Sequence, residues 1–308
     1  MEIPMKIIDS HHHLWCPDTD PTGIGYVWLQ NKGAMKPFGD PTPIQRDYLA
    51  EEFKAESQKH ELAGSIHVQC DGAIPDPVKE AEWIESLSQT HDIPSAHVGF
   101  VDLTSADTPK LLERYMQLPG FRGVRQIISR IDDRPEISFT QVEYLGHMIW
   151  REQFALLTAH NLSFDLQLYP QQMPDAAAFF AKHPDIPVVI DHAGSPYDQS
   201  KSGHLLWRQG LKELAQLEHC HIKLSGFGMF DPQWTAQSIQ AIVNDILELF
   251  GAERVMFGSN YPVDKLMRPY DFVVDSVLEC CTNAGLNETA IEGVFSGNAE
   301  RFYRLNHN

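Results

Sequence analysis

Cysteine is scarce and unpatterned in this sequence. Cys16, Cys70, Cys220, Cys280 and Cys281 are an odd number, with no C-x-x-C spacing. That argues against a disulfide framework and reads as the reduced thiols of a cytosolic protein. An excess of positive charge is also missing. Lys and Arg number 24 against 42 Asp and Glu, a formal charge of −18, where a nucleic-acid binder needs a basic face and an anionic membrane attracts one. No apolar run approaches the roughly 18 residues of a spanning helix. The start, MEIPMKIID, lacks the layout of a signal peptide. G-x-G-x-x-G, the P-loop, internal repeats and low-complexity linkers are absent too. The expectation is a soluble, cytoplasmic, single-domain chain over 1–308 that handles a small molecule, with a homo-oligomer left open.

What is present is an ordinary globular composition, 43% hydrophobic and 21% charged, in 308 residues. A chain of this length buries a sizeable core without disulfide or metal staples. Eight short apolar runs rich in β-branched residues recur at 6–13, 64–70, 96–102, 121–127, 162–168, 187–193, 221–226 and 255–261. Segments with helical spacing lie between them. Asp76-Pro77 opens one, followed by Val78, Ala81, Ile84 and Leu87 at i, i+3 intervals. Others fall at 109–117, 141–161, 174–183, 205–218, 235–250, 270–284 and 288–305. Strands alternating with helices imply parallel pairing with right-handed crossovers. Eight near-equal units predict an α/β fold, a (β/α)8 TIM barrel, in preference to a doubly wound open sheet. Residues 14–63 are too long for a simple connection. They carry Trp15 and Tyr26-Val27-Trp28 and end in a helical stretch from Arg46 to about His60. An insertion after the first strand of a barrel lies on the catalytic face and reads as a lid or substrate wall, with a packed insertion without ligand contact as the alternative.

Barrel active sites form at the C-terminal ends of strands. The first strand ends His11-His12-His13, and alternation puts His11 and His13 on one side and His12 on the other. Two imidazoles so placed can hold a divalent metal. The sixth ends Asp191-His192-Ala193-Gly194, where His192 shares parity with Val188 and Ile190. Arg122 and Arg125 lie on the fourth, and an arginine at a barrel mouth suits a carboxylate or a developing oxyanion. His67 and Gln69, Asp165 and Gln167, and Lys223 and Ser225 share faces of the second, fifth and seventh strands. The eighth runs into Gly258-Ser259-Asn260-Tyr261-Pro262-Val263-Asp264. Polar groups converging on one end of one barrel point to a binding site.

These residues resemble the amidohydrolase superfamily, in its amidohydrolase-related branch of lactonases and decarboxylases. The resemblance runs from about residue 6 to 305. It rests on H-x-H (His11, His13) with Asp9, D-H-x-G (191–194), K-L-S-G (223–226), F-G-S-x-Y-P (257–262) and the closing SGNAERFYRL (296–305). Trp15 just after H-x-H makes the chain most similar to sugar-acid lactonases of the fuconolactonase and rhamnonolactonase type, and it also resembles dicarboxylate-pyrone lactonase. The resemblance implies hydrolysis of a small lactone, that of a sugar acid, by water attack on the ring carbonyl. A metal-dependent decarboxylase or hydratase, or an inactive binding homologue, are the alternatives. It implies His192, Asn260, Lys223 and Arg125 as catalytic residues, Trp15, Gln69, Gln167 and Tyr261 as substrate contacts, and His11 and His13 as ligands of any metal. Two departures bear on that metal. The family's strand-eight Asp, a metal ligand and general base in many members, is Asn260 here, and the strand-five His of metal-binding members is Gln167. The cofactor is therefore left open between one divalent ion, zinc foremost, and none. The base is left open among His192, His11 and His13, unless Asp264 reaches in.

Overall fold

The computed structural model describes residues 5–305. Eight parallel strands pair in sequence order: β1 (Lys6–His12), β2 (Glu61–Val68), β3 (Ala96–Phe100), β4 (Phe121–Arg125), β5 (Ser163–Leu166), β6 (Val188–Ile190), β7 (Cys220–Leu224) and β8 (Val255–Phe257). The ring closes just past β8, where His13 N–H donates to the Tyr261 carbonyl (2.6 Å) and Asn260 N–H to the His11 carbonyl (2.7 Å). Helices follow the strands in alternation, among them Val78–His91, Lys201–Ala215, Ala236–Phe250 and Tyr270–Asn283. This is the (β/α)8 barrel that the spacing predicts. Among the described residues no helix is long and apolar enough to cross a membrane.

Two helical expectations need correction. The segment at 141–161 becomes helical only from Met148, as Met148–Phe154 and Leu156–Ala159. His147 caps that start, its Nδ1 accepting the Trp150 N–H. The segment at 288–305 is broken by a π-type turn, Gly293–Gly297, between Glu288–Glu292 and Asn298–Phe302. That break lets Phe302 and Tyr303 pack with Ile8, Val189 and Met256 inside the barrel.

Inside the barrel, chemistry changes with height. Ile8, Ile66, Val68, Ala96, Val98, Val189 and Met256 form an apolar lower layer. Above it sit four charged residues, Arg125, Asp165, Asp191 and Lys223, all buried. The insertion packs over the rim. Trp15 and Tyr48 exchange backbone hydrogen bonds (3.1 and 2.9 Å), and Lys265, beyond β8, bridges Glu52 and Glu56 of the helix Ala50–Glu56.

Candidate active site

Local backbone irregularities, more than strand alternation, aim the site residues. Early in β1, Ile7 belongs to the helix-facing core and Ile8 to the barrel interior. Uninterrupted alternation would turn His12 inward. A register shift between Asp9 and His12 reverses the parity, as a bulge next to an active site does. His12 instead stacks on Phe53 (4.3 Å between centroids, 7° between planes), while the rings of His11 and His13 meet edge to face at 5.1 Å. Asp9 pins the irregularity by accepting the N–H groups of His11 (3.1 Å) and Ser259 (2.9 Å) and the Tyr270 hydroxyl (3.2 Å). Even so, burial pushes its carboxyl up to about 6.

At β6 the expected parity is overturned. Val188 and Ile190 face the helices and Val189 faces the interior, so Asp191 is the inward residue. His192 comes to the cavity by leaving strand geometry, with φ of 54° at His192 and 52° at Ala193. Its ring lies 4.6 Å from that of His11. Gly226 makes room, because a Cβ there would fall 2.5 Å from His192 Nδ1. Gly258 does the same under His11, where a Cβ would lie 2.8 Å from the His11 Cβ.

Asp191 is the hub. One oxygen sits 3.2 Å from His11 Nδ1 and 3.0 Å from Lys223 Nζ, and the other accepts from Arg125 Nε at 3.0 Å. Lys223 also pairs with Asp165, which accepts the Tyr303 hydroxyl at 2.8 Å. Burial pulls Asp191 upward, but Lys223, His11 and Arg125 outweigh it and hold the carboxyl well below its usual range. Two cations thus face two carboxylates in a closed, charge-balanced group. Burial lowers the imidazoles of His11 and His13 well below their usual range, helped by the nearby Lys223 and Arg125 respectively. His192 is lowered to about 3, by burial first, against Asp191 and with Arg125 and Lys223. All three rings are neutral at physiological pH. His13 Nδ1 donates to the Val68 carbonyl (2.6 Å), which leaves its Nε2 as an acceptor, and His192 Nδ1 meets Ser225 Oγ (3.1 Å), which also accepts the His192 backbone N–H (3.2 Å).

A cavity of about 320 Å³ opens above this group. His13, Trp15, Arg125, Gln167, His192 and Asn260 line it. Arg125 commits Nε to Asp191 and single N–H groups to the Gln69 carbonyl (3.2 Å) and the Gln167 side-chain oxygen, leaving one N–H on each terminal nitrogen. The Trp15 ring lies near parallel to His13 (15°), and its Nε1 has no partner. The insertion also supplies Trp28, Lys36 and Phe38 to the cavity wall. Lys36 Nζ sits 5.0 Å over Trp28, and burial lowers its pKa against the pull of Asp71.

Several expected site residues do not line the cavity. His11 and Lys223 lie beneath it, fully buried. Lys223 Nζ is taken up beneath the cavity by Asp165, Asp191 and His11 Nδ1 (3.2 Å). Gln69 follows the inward Val68 and alternates away, as His67 does toward Glu80 (3.8 Å). Tyr261 gives its hydroxyl to the Arg268 carbonyl (2.6 Å) and its ring to Tyr270. Arg122 bonds to the Pro119 and Phe121 carbonyls, away from the site. Conversely, the pairing of Asp165 and Asp191 with the two cations was not read from the sequence. Lys36 stands in a stretch without periodicity and carried no signal.

The donor set is a poor host for a resident divalent cation. His11, Asp191 and His192 do bring ligand atoms within 4.8 Å of one another, and His11 Nε2 is buried without a partner. But both Asp191 oxygens already serve cations, Gln167 gives its oxygen to Arg125, and Asn260 is a neutral amide. Arg125 and Lys223, which disfavour a proton on these imidazoles, oppose a dication more strongly, and the one carboxylate within the ligand cluster, Asp191, is already paired with both.

A family model described as Amidohydrolase matches residues 8–305. An uncharacterised protein of Sinorhizobium fredii is 33% identical over 301 residues, covering 98% of this chain and 99% of its own. An L-fucono-1,5-lactonase of Burkholderia multivorans is 29% identical over 312 residues, covering 97% of this chain and 96% of its own. The crystal structure of a Burkholderia multivorans amidohydrolase with bound zinc superposes with a TM-score of 0.80 at 27% identity, over 97% of this chain and 99% of that one.

Proposed function

Because the chain belongs to the amidohydrolase family, we propose that it is a lactonase that opens the lactone of a small sugar acid. Likeness to the fuconolactonase along nearly its whole length supports the reaction class. The observation that carries the chemistry is the His192 imidazole, turned into the cavity beside Arg125 with its Nδ1 against Ser225.

In this reading water adds to the ring carbonyl carbon. The carbonyl π pair moves onto oxygen, and the water proton passes to His192 Nε2. The oxyanion settles against the free N–H groups of Arg125. The ring C–O bond then breaks, and His192 returns the proton to the departing ring oxygen, leaving a hydroxy acid. An imidazole lowered to about 3 is a weak base in the resting site. As negative charge gathers at Arg125, the guanidinium field that depresses the ring is offset and the proton becomes easier to hold. The step therefore uses positive charge twice, first to keep the imidazole free and then to bind the oxyanion.

A panel of aldonolactones, read by proton release with a pH indicator and run beside carboxylate substrates read for carbon dioxide, tests the proposal. Lactone opening without decarboxylation, unchanged by a chelator, is the expected result. Silence on every lactone with turnover of an acid would replace lactonase by decarboxylase.

A further inference from the structure

Asn260 is the amide at the strand-eight position, and it lines the cavity with φ of 57°. One of its two polar ends is already taken: Nδ2 donates to Asp264 Oδ1 at 3.2 Å. Asp264 follows in a tight turn, its own N–H reaching the Asn260 carbonyl at 3.1 Å. The Asp264 side chain is fully buried, and its Oδ2 has no partner. Burial pushes the carboxyl up to about 7, against the pull of Asn260 and of the Gly228 backbone. A buried carboxyl with an unpartnered oxygen is unfavourable, and a structural link from Asn260 could be made by a hydroxyl or an amide.

We propose that Asp264 is a positioning residue for hydrolysis: by accepting the Asn260 Nδ2–H it turns the amide oxygen toward the cavity as a fixed acceptor for the attacking water. The inference rests on the hydrolytic reading above. Water then has two acceptors, Asn260 Oδ1 and His192 Nε2, one for each hydrogen, and its lone pair is left for the carbonyl carbon. An acid that sits four residues after the strand end thus sets orientation there without placing an anion beside the oxyanion. With the amide free to flip, Nδ2 would instead present a donor, and water would turn its lone pair away from the substrate.

The test compares Asp264→Ala and Asp264→Asn with the unmodified protein. Loss of orientation lowers kcat by about 10- to 100-fold with KM changed less than about threefold. Asp264→Asn still offers a carbonyl oxygen to Nδ2 and restores most of the rate. A purely structural residue would lower thermal stability in both variants and leave kcat of the folded fraction unchanged, which would overturn the proposal. A second readout is independent of turnover. The Asn260 side-chain N–H pair in a 15N spectrum, assigned by its loss in Asn260→Asp, should shift and lose exchange protection in Asp264→Ala. If no lactone is turned over but that signal depends on Asp264, the lactonase reading fails and the positioning contact stands. If lactones are turned over and Asp264→Ala retains full kcat, the positioning role fails and the lactonase reading stands.

Discussion

Lys223→Met removes one cation from the buried charged group at nearly constant side-chain length. Lys223 is fully buried and bridges Asp165 and Asp191. Without it, Arg125 still holds Asp191 at 3.0 Å, but Asp165 retains only the Tyr303 hydroxyl. Breaking a buried ion pair by deleting one partner costs about 3–5 kcal/mol, because the remaining charge is left uncompensated. At about 2 °C per kcal/mol for a large domain, Tm falls by about 6–10 °C. Asp165 has a way to limit the loss. Burial already raises its pKa to about 6, and without Lys223 it rises further, so the carboxyl takes up a proton. A carboxyl raised in the folded state contributes stability below its unfolded pKa and loses that contribution as pH rises through its folded value. The gap between variant and unmodified protein therefore widens from pH 5.5 to pH 8. Thermal denaturation followed by circular dichroism at both pH values reads it directly. Lys223→Met/Asp165→Asn removes the stranded charge and should recover at least half of the loss at pH 8. A gap below about 1 kcal/mol at pH 8, or a double variant no more stable than the single one, would refute an ionic core whose members depend on one another.

Three further expectations concern separate residues. His192→Ala should lower kcat by about 10²–10⁴-fold, whereas His12→Ala, on the far side of β1 against Phe53, should keep kcat and lose only stability; steady-state kinetics with equal losses at the two positions would contradict the bulge. Because His192 stays neutral down to about 3, kcat/KM should run flat from pH 8 to about pH 5, and an acidic limb near 6.5 would mean that the base is a less depressed group. Glu80 is raised from 4.5 to about 7 by burial, so it destabilises the fold as pH rises through that interval; Glu80→Gln should match the unmodified protein near pH 4.5 and exceed it by up to about 3 kcal/mol at pH 8 in urea titrations.

The barrel was legible because its signals are local and repeated. Each strand is a short β-branched run, each helix a stripe, and eight such units have one economical closure. The site was legible only where backbone geometry is regular. Asp165 with Gln167 and Lys223 with Ser225 follow plain alternation, and the structure keeps each pair on the expected side. At β1 alternation from the histidines backward fails at the bulge, so the side taken by His11 and His13 is right only because a register shift intervenes. At β6 parity assigns His192 to the face of Val188 and Ile190, which is the helix face. The ring enters the cavity through two left-handed residues, His192 and Ala193; histidine is among the types that adopt positive φ more readily, but alanine carries no such sign. The resemblance implies a catalytic role for Lys223 and substrate contacts for Gln69 and Tyr261, but what each side chain touches depends on strands distant in sequence.

The two positions at which the resemblance implies a departure from metal-binding members both hold amides, one hydrogen-bonded to the Arg125 guanidinium and the other to the Asp264 carboxyl. Gln167 gives its oxygen to Arg125, so its NH2 group is what remains for the cavity. Asn260 gives its NH2 group to Asp264, so its oxygen remains. The cavity therefore carries a donor on the β5 side, next to the guanidinium, and an acceptor on the β8 side. A carbonyl oxygen that gains negative charge is complementary to the first and a water molecule or hydroxyl to the second. An anionic carboxylate at residue 260 would draw a cation toward His11 and His13 and would also repel the oxyanion. Two oriented amides give the same directional information at no net charge, which is compatible with an ionic group below that is already balanced. On this argument Asn260→Asp should gain zinc affinity in calorimetric titration without gaining rate, since the carboxylate improves the metal site and worsens the electrostatics of the step that Arg125 supports. Unchanged zinc binding would show that residue 260 does not face the histidine pair, and a faster enzyme on adding zinc would show that charge balance does not govern this site.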